Sequence, residues 1–184
     1  YATLSNVNLG NVLSANRFAA HNGTSNQTNG FIYGGSSTGF EWGLTNTIES
    51  FTFANSTMSL VGSMSGAHHV HAAFGNRLKG FVAGGALIPS QTSWFSDQIS
   101  VLTYSGSTIS VLGNNANQKL TEPKVCADGA GSSDAGYIIG GDIAPTAWNG
   151  TRTVDRLGYN SQTVARIGSQ LNHSMADQGV TSDY

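Results

Sequence analysis

The 184-residue chain has one cysteine, three prolines and very little charge. A single thiol, Cys126, excludes an internal disulfide, so the chain does not read as a disulfide-stapled secreted scaffold. Charged residues make up 10%, the net charge is −2, and no basic block is present. A nucleic-acid interface needs concentrated positive charge to displace counterions, which argues against that class of partner. No apolar run approaches the roughly 18 residues that span a bilayer, and no signal peptide is recognisable. Charge this sparse also argues against a disordered tail. No segment carries a sustained helical stripe. A Gly-x-Ser-x-Gly elbow, a phosphate loop and a Cys-x-x-Cys pair are all missing, so no catalytic residues, cofactor or enzymatic activity are expected.

Glycine, by contrast, is plentiful at 24 residues, and Ser, Thr and Asn abound. That mix suits short strands joined by polar turns. The glycines are ordered. An apolar strand closed by a glycine pair occurs three times, as Gly30-Phe31-Ile32-Tyr33-Gly34-Gly35, Gly80-Phe81-Val82-Ala83-Gly84-Gly85 and Gly136-Tyr137-Ile138-Ile139-Gly140-Gly141. The pairs start at 34, 84 and 140, intervals of 50 and 56 residues. Self-similarity at such a period marks a repeat architecture.

Laid over one another, the units predict four strands each. The first strands are Asn16 to His21, His68 to Phe74 and Lys124 to Ala130. The second strands end in the glycine pairs. The third strands are Ile48 to Phe53, Gln98 to Tyr104 and Val154 to Tyr159. The fourth are Met58 to Gly62, Ile109 to Gly113 and Val164 to Gly168. Turns of hairpin composition join the third and fourth: Ala54-Asn55-Ser56, Ser105-Gly106-Ser107 and Asn160-Ser161-Gln162. Residues 4–10 read as a lone fourth strand. At the other end Ala176-Asp177 aligns with Ala127-Asp128, which predicts a lone first strand over the last residues. The units run approximately over 11–63, 64–114 and 115–169, with partial units at 1–10 and 170–184. Four antiparallel strands per period of about 50 residues fit the blade of a β-propeller. Three complete blades with partial ones at both ends predict that further residues or neighbouring chains complete a ring or array. A chain that does not begin with Met is expected to be processed or part of something longer.

The pattern resembles the kelch repeat. A basic residue precedes the first strand (Arg17, His68, Lys124, His173), the second strand ends in Gly-Gly, and an aromatic closes the third (Phe53, Tyr104, Tyr159). The kelch Trp before the fourth strand is absent. The sequence is most similar to the kelch-like repeats of tailed-phage virion proteins, particularly those of cyanophages. Gly136 to Gly141 followed by Thr153-Val154-Asp155-Arg156-Leu157-Gly158-Tyr159 carries that likeness. It implies a virion structural or receptor-binding module of a tail fibre, tail tip or surface appendage. The implied partners are other appendage subunits, further copies of the chain and a host glycan or receptor. The alternative is a secreted or cell-surface carbohydrate-binding propeller of a bacterium. Kelch folds include copper oxidases with a modified Tyr and Cys, but Cys126 lacks their motif context.

Three sets of residues invite a functional reading. Trp42, Trp94 and Trp148 each fall between the second and third strands, one per unit. An indole offers a broad apolar face and one N–H donor, so three on one side of the molecule could meet sugar rings or pack on neighbouring blades. His68, His69 and His71 form a His-His-x-His run, and residues 69 and 71 of a regular strand share a face. With no carboxylate or Cys close in sequence, core histidines are expected rather than a metal site. The basic column, together with Asp128, Asp177 and His21 at one aligned position, predicts polar residues near a common axis, satisfying carbonyls at the blade junctions. Isolated aspartates without clustered oxygen ligands are not read as a calcium site. Sequons at Asn22, Asn26, Asn55, Asn149 and Asn172 are what this Asn- and Ser/Thr-rich composition yields by chance.

Overall fold

The computed structural model describes residues 13–17, 22–37, 43–87, 95–113, 115–143, 150–168 and 171–175. The fold is all-β. The first sheet is β1 (Gly23–Ser25), β2 (Asn29–Tyr33), β3 (Thr47–Thr52) and β4 (Thr57–Ser63). In the second unit β5 (His68–His69) and β8 (Ala86–Leu87) form a short ladder. The main sheet there is β6 (Ala72–Gly75), β7 (Lys79–Ala83), β9 (Ile99–Thr103) and β10 (Thr108–Val111). The third unit repeats this, with β11 (Lys124–Val125) on β14 (Asp142–Ile143). Its four-stranded sheet is β12 (Asp128–Gly131), β13 (Ala135–Ile139), β15 (Val154–Gly158) and β16 (Thr163–Arg166). Every pairing is antiparallel, and each four-stranded sheet runs as a meander in chain order.

The expected second, third and fourth strands are all present. The turns between third and fourth strands each place one residue in the left-handed region: Ser56 (φ 56), Ser107 (φ 47) and Gln162 (φ 52). Such a residue lets a short loop match the twist of its strands. The first strands depart from simple expectation. In the first unit the described strand is Gly23–Ser25, and most of the expected span from Asn16 to His21 lies outside the described residues. In the second and third units the strand is broken in the middle. Val70 (φ 48) and Cys126 (φ 54) occupy the same place in their units and turn the chain left-handed. Pairing register is unchanged across the break, because His69 opposes Ala86 and Ala72 opposes Ala83. A β-branched residue in that conformation is held there by its surroundings. The Cys126 amide donates to the Val70 carbonyl at 2.7 Å, so the two kinks are bonded to each other.

The sheets stack in order. Phe31, Tyr33, Ile48 and Met64 of the first unit pack on Ala73, Val82 and Leu102 of the second. Phe74, Phe81, Ile99 and Val101 pack in turn on Ile138, Leu157, Tyr159 and Val164 of the third. Inner strand lies on inner strand, with β6 between β1 and β12. The approach is close enough that a Cβ on Gly129 would collide with the Ala73 carbonyl, and one on Gly131 with the Gly75 carbonyl. Between sheets the aromatics stack. Tyr104 lies on Phe31 with centroids 4.4 Å apart, and Tyr159 on Phe81 at 4.9 Å. Both hydroxyls reach back across the gap, Tyr104 donating to Thr24 Oγ1 (2.9 Å) and Tyr159 to the Gly75 carbonyl (3.0 Å).

Candidate functional site

The recurring polar site sits where the glycine pair meets the first strand. Each second glycine donates its N–H to a carbonyl of the following unit: Gly35 to His68 (2.9 Å), Gly85 to Lys124 (2.7 Å) and Gly141 to Met175 (2.8 Å). Each first glycine has positive φ and lies against the same carbonyl. Gly34, Gly35, Gly84, Gly85, Gly140 and Gly141 therefore form the joints between consecutive units. Met175, not His173, stands in the place of His68 and Lys124. The register confirms this, since Met175 bridges Thr151 as Lys124 bridges Ser96. His173 is exposed two residues earlier. Spacing to Ala176-Asp177 points to His173 because that pair falls two residues nearer to Met175 than Ala127-Asp128 falls to Lys124.

The basic column turns inward and pairs with an acid on the third strand. Arg17 binds Glu49 through Nη2 (2.6 Å) and Nε (3.1 Å), and also donates to Thr47 Oγ1 and the Gly34 carbonyl. Burial works against ionising Glu49, but hydrogen bonds from Ser14 and Arg17 outweigh it and hold the carboxyl below its ordinary range. In the third unit Lys124 Nζ lies 3.3 Å from Asp155 Oδ2, both side chains fully buried. It donates to Thr153 Oγ1 at 2.9 Å, and Thr121 donates to Asp155 Oδ1 at 2.7 Å. Burial pulls the Lys124 ammonium down and Asp155 pushes it back up.

In the second unit both partners are neutral. His68 takes the cation's place and Ser100 the carboxylate's. His68 Nδ1 contacts the Gly84 carbonyl at 3.1 Å, as Arg17 contacts Gly34. His68 Nε2 and Ser100 Oγ are buried and have no hydrogen-bond partner among the described residues. Burial lowers the His68 pKa from 6.5, partly offset by the Gly84 bond, so the ring is neutral at pH 7. Because its folded pKa lies below its unfolded one, the unfolded chain binds more protons between the two values. His68 therefore contributes stability in full above pH 6.5, and this contribution is lost as the pH falls through 6.5 towards the folded value. Melting temperatures from pH 8 to pH 5 should fall more steeply for the wild type than for His68→Gln. Parallel curves would show that His68 does not titrate this way.

The kink at Val70 breaks the strand alternation that would have put His69 and His71 on one face. All three histidines are buried. Among the described residues no group of three or more His, Cys, Asp or Glu could hold a metal ion. Near the inner strands Asn22, rather than His21, occupies the register position of Asp128. Asn22 donates to Asp128 Oδ1 (3.3 Å) and to the His71 carbonyl (3.2 Å), so all three units meet there. Cys126 is buried in its kink. Trp42, Trp94, Trp148, His21, Asp177 and the lone strand over 4–10 lie outside the described residues. The acids Glu49 and Asp155 were missed by sequence reasoning. Their signal was an acid recurring one residue after Ile48 and Val154, in strands otherwise apolar at that end.

The site has the chemistry of a structural joint. Its charges face one another, and its carbonyls accept backbone amides. The sequence matches no known family model, and no curated protein is similar to it.

Proposed function

We propose that the chain is a run of kelch-type β-propeller blades serving, without catalysis, as a structural or receptor-binding module of a phage tail fibre or other virion appendage. The observation that carries the blade reading is the recurring joint: three successive glycine pairs donate to the next unit's first-strand carbonyl, and inner strand packs on inner strand. That is how sheets fanned about an axis must meet, close at the centre and diverging outward. The virion attribution rests on the sequence likeness over residues 136–141 and 153–159, and is analogy from fold to role. Buried charges that face one another in pairs favour a rigid support over a reactive centre. Recognition then belongs to the loops between second and third strands, where the sequence puts Trp42, Trp94 and Trp148.

The test is binding of the purified chain to a panel of bacterial surface polysaccharides. Trp94→Ala is expected to weaken binding at least about tenfold, roughly the contribution of one stacked ring, with an unchanged melting temperature. A panel without any binder, or a variant that loses binding only as it loses stability, would reject the display role.

A further inference from the structure

Beyond the buried Glu49–Arg17 pair, the outer face of the first sheet exposes apolar side chains among the described residues. Phe51 opposes Met58 and Glu49 opposes Leu60 across β3 and β4, so these four share a face, with Phe53 two residues on. Ile48 and Val61 lie on the other face, against the second sheet. Phe53 is 49% exposed and Leu60 67% exposed. The internal repeat shows what such a face normally meets. Phe51 corresponds to Leu102 and Leu157, and Phe53 to Tyr104 and Tyr159, by the shared strand register. Leu102, Leu157 and Tyr159 are buried under the preceding sheet, whose second-strand aromatic stacks on the tyrosine.

The third sheet presents the complementary surface. Tyr137 corresponds to Phe31 and Phe81, the two residues that cover the tyrosines. On β13, Ile138 joins the core shared with the second sheet, so Tyr137 and Ile139 face the other way. Both are half-buried. Val154 and Arg156 oppose them on the same face.

We infer that the first sheet of one copy docks on the third sheet of a second copy, head to tail, with Tyr137 stacked on Phe53. The contact repeats the face-to-face packing already made twice within the chain, while the Gly141 amide stays bonded to the chain's own Met175 carbonyl. Such a contact is heterologous, so it closes a ring or propagates as a file. Phenylalanine at 53 suits a face that is exposed when the partner leaves. Unlike Tyr104 and Tyr159 it has no hydroxyl to strand, whereas the hydroxyl of Tyr137 remains at the margin.

The inference rests on the blade reading above. Self-association is measured without any host surface, so its failure and the failure of the display role are distinguishable. Sedimentation velocity over roughly 1 to 100 µM, the range of a weak interface, should show wild-type mass rising with concentration. Phe53→Asp and Tyr137→Asp should each be monomeric, with cooperative melting retained. Mixed in equal amounts they should form a one-to-one dimer, because each keeps the face the other lacks. Leu60→Lys, at the most exposed position of the patch, replaces Phe53→Asp if the latter does not fold. A monomeric wild type, a variant that still associates as the wild type does, or a mixture that stays monomeric overturns the inference.

Discussion

Asp155→Ala is expected to destabilise the chain by about 3–5 kcal/mol, the usual consequence of stranding one member of a buried ion pair. Lys124 and Asp155 are both inaccessible to solvent, so solvent cannot take over the role of the missing carboxylate. Thr121 also loses its acceptor, and Arg166, whose Nε lies 3.7 Å from Asp155, loses a neighbouring opposite charge. The Lys124→Met/Asp155→Ala double variant should recover half or more of the loss, because no charge is then left buried. Met175 already fills the equivalent position in this chain, so the joint accepts a thioether there. In the single variant the deficit should shrink as the pH rises. Burial lowers the Lys124 pKa and Asp155 raises it, so without Asp155 the folded value lies further below 10.5 than in the wild type, and over that added interval only the variant gains stability as the pH rises. Urea titrations of the three proteins at two pH values decide the matter. A double variant no better than the single would mean that the pair acts through shape rather than charge.

Gly84→Ala should be comparably damaging, by at least about 3 kcal/mol, combining left-handed strain with an overpacked contact. Gly84 has φ +69, and an added Cβ would come 2.6 Å from the Lys124 carbonyl. The nearest atom is backbone, which cannot yield as a side-chain tip could, and the Leu120 Cδ1 methyl follows at 3.2 Å. The displaced carbonyl is the one that accepts the Gly85 amide, so the joint between second and third units opens as well. Gly168→Ala is the control. It has open space around it and should change stability by no more than about 0.5 kcal/mol. Equal effects at the two positions would show that the glycine pair is not a packing requirement.

Those two sites also show what the sequence makes legible. The glycine pairs, the hairpins and the column from Arg17 through His68 to Lys124 can be read by overlaying units, since each needs a particular residue type at a fixed offset. The kink at Val70 and Cys126 could not. Neither residue favours the left-handed region, and the conformation is imposed by pairing on both sides of the break. The acid partners lie about thirty residues from their bases, so no local pattern announces them. Met175 escapes because an apolar residue replaces the cation that defines the column. Asn22 escapes because the first unit carries one more residue between Arg17 and Gly23 than the second does between His68 and Ala73.

The exchange of Arg with Glu, His with Ser and Lys with Asp has a bearing on ancestry. Each of these pairs keeps both members within one unit, while backbone amides, tyrosine hydroxyls, the Asn22 amide and apolar side chains make the contacts between units. Duplication, deletion or recombination of whole units would therefore carry each cation with its acid. Such modules can be multiplied or traded in a genome without renegotiating the interior of those that remain.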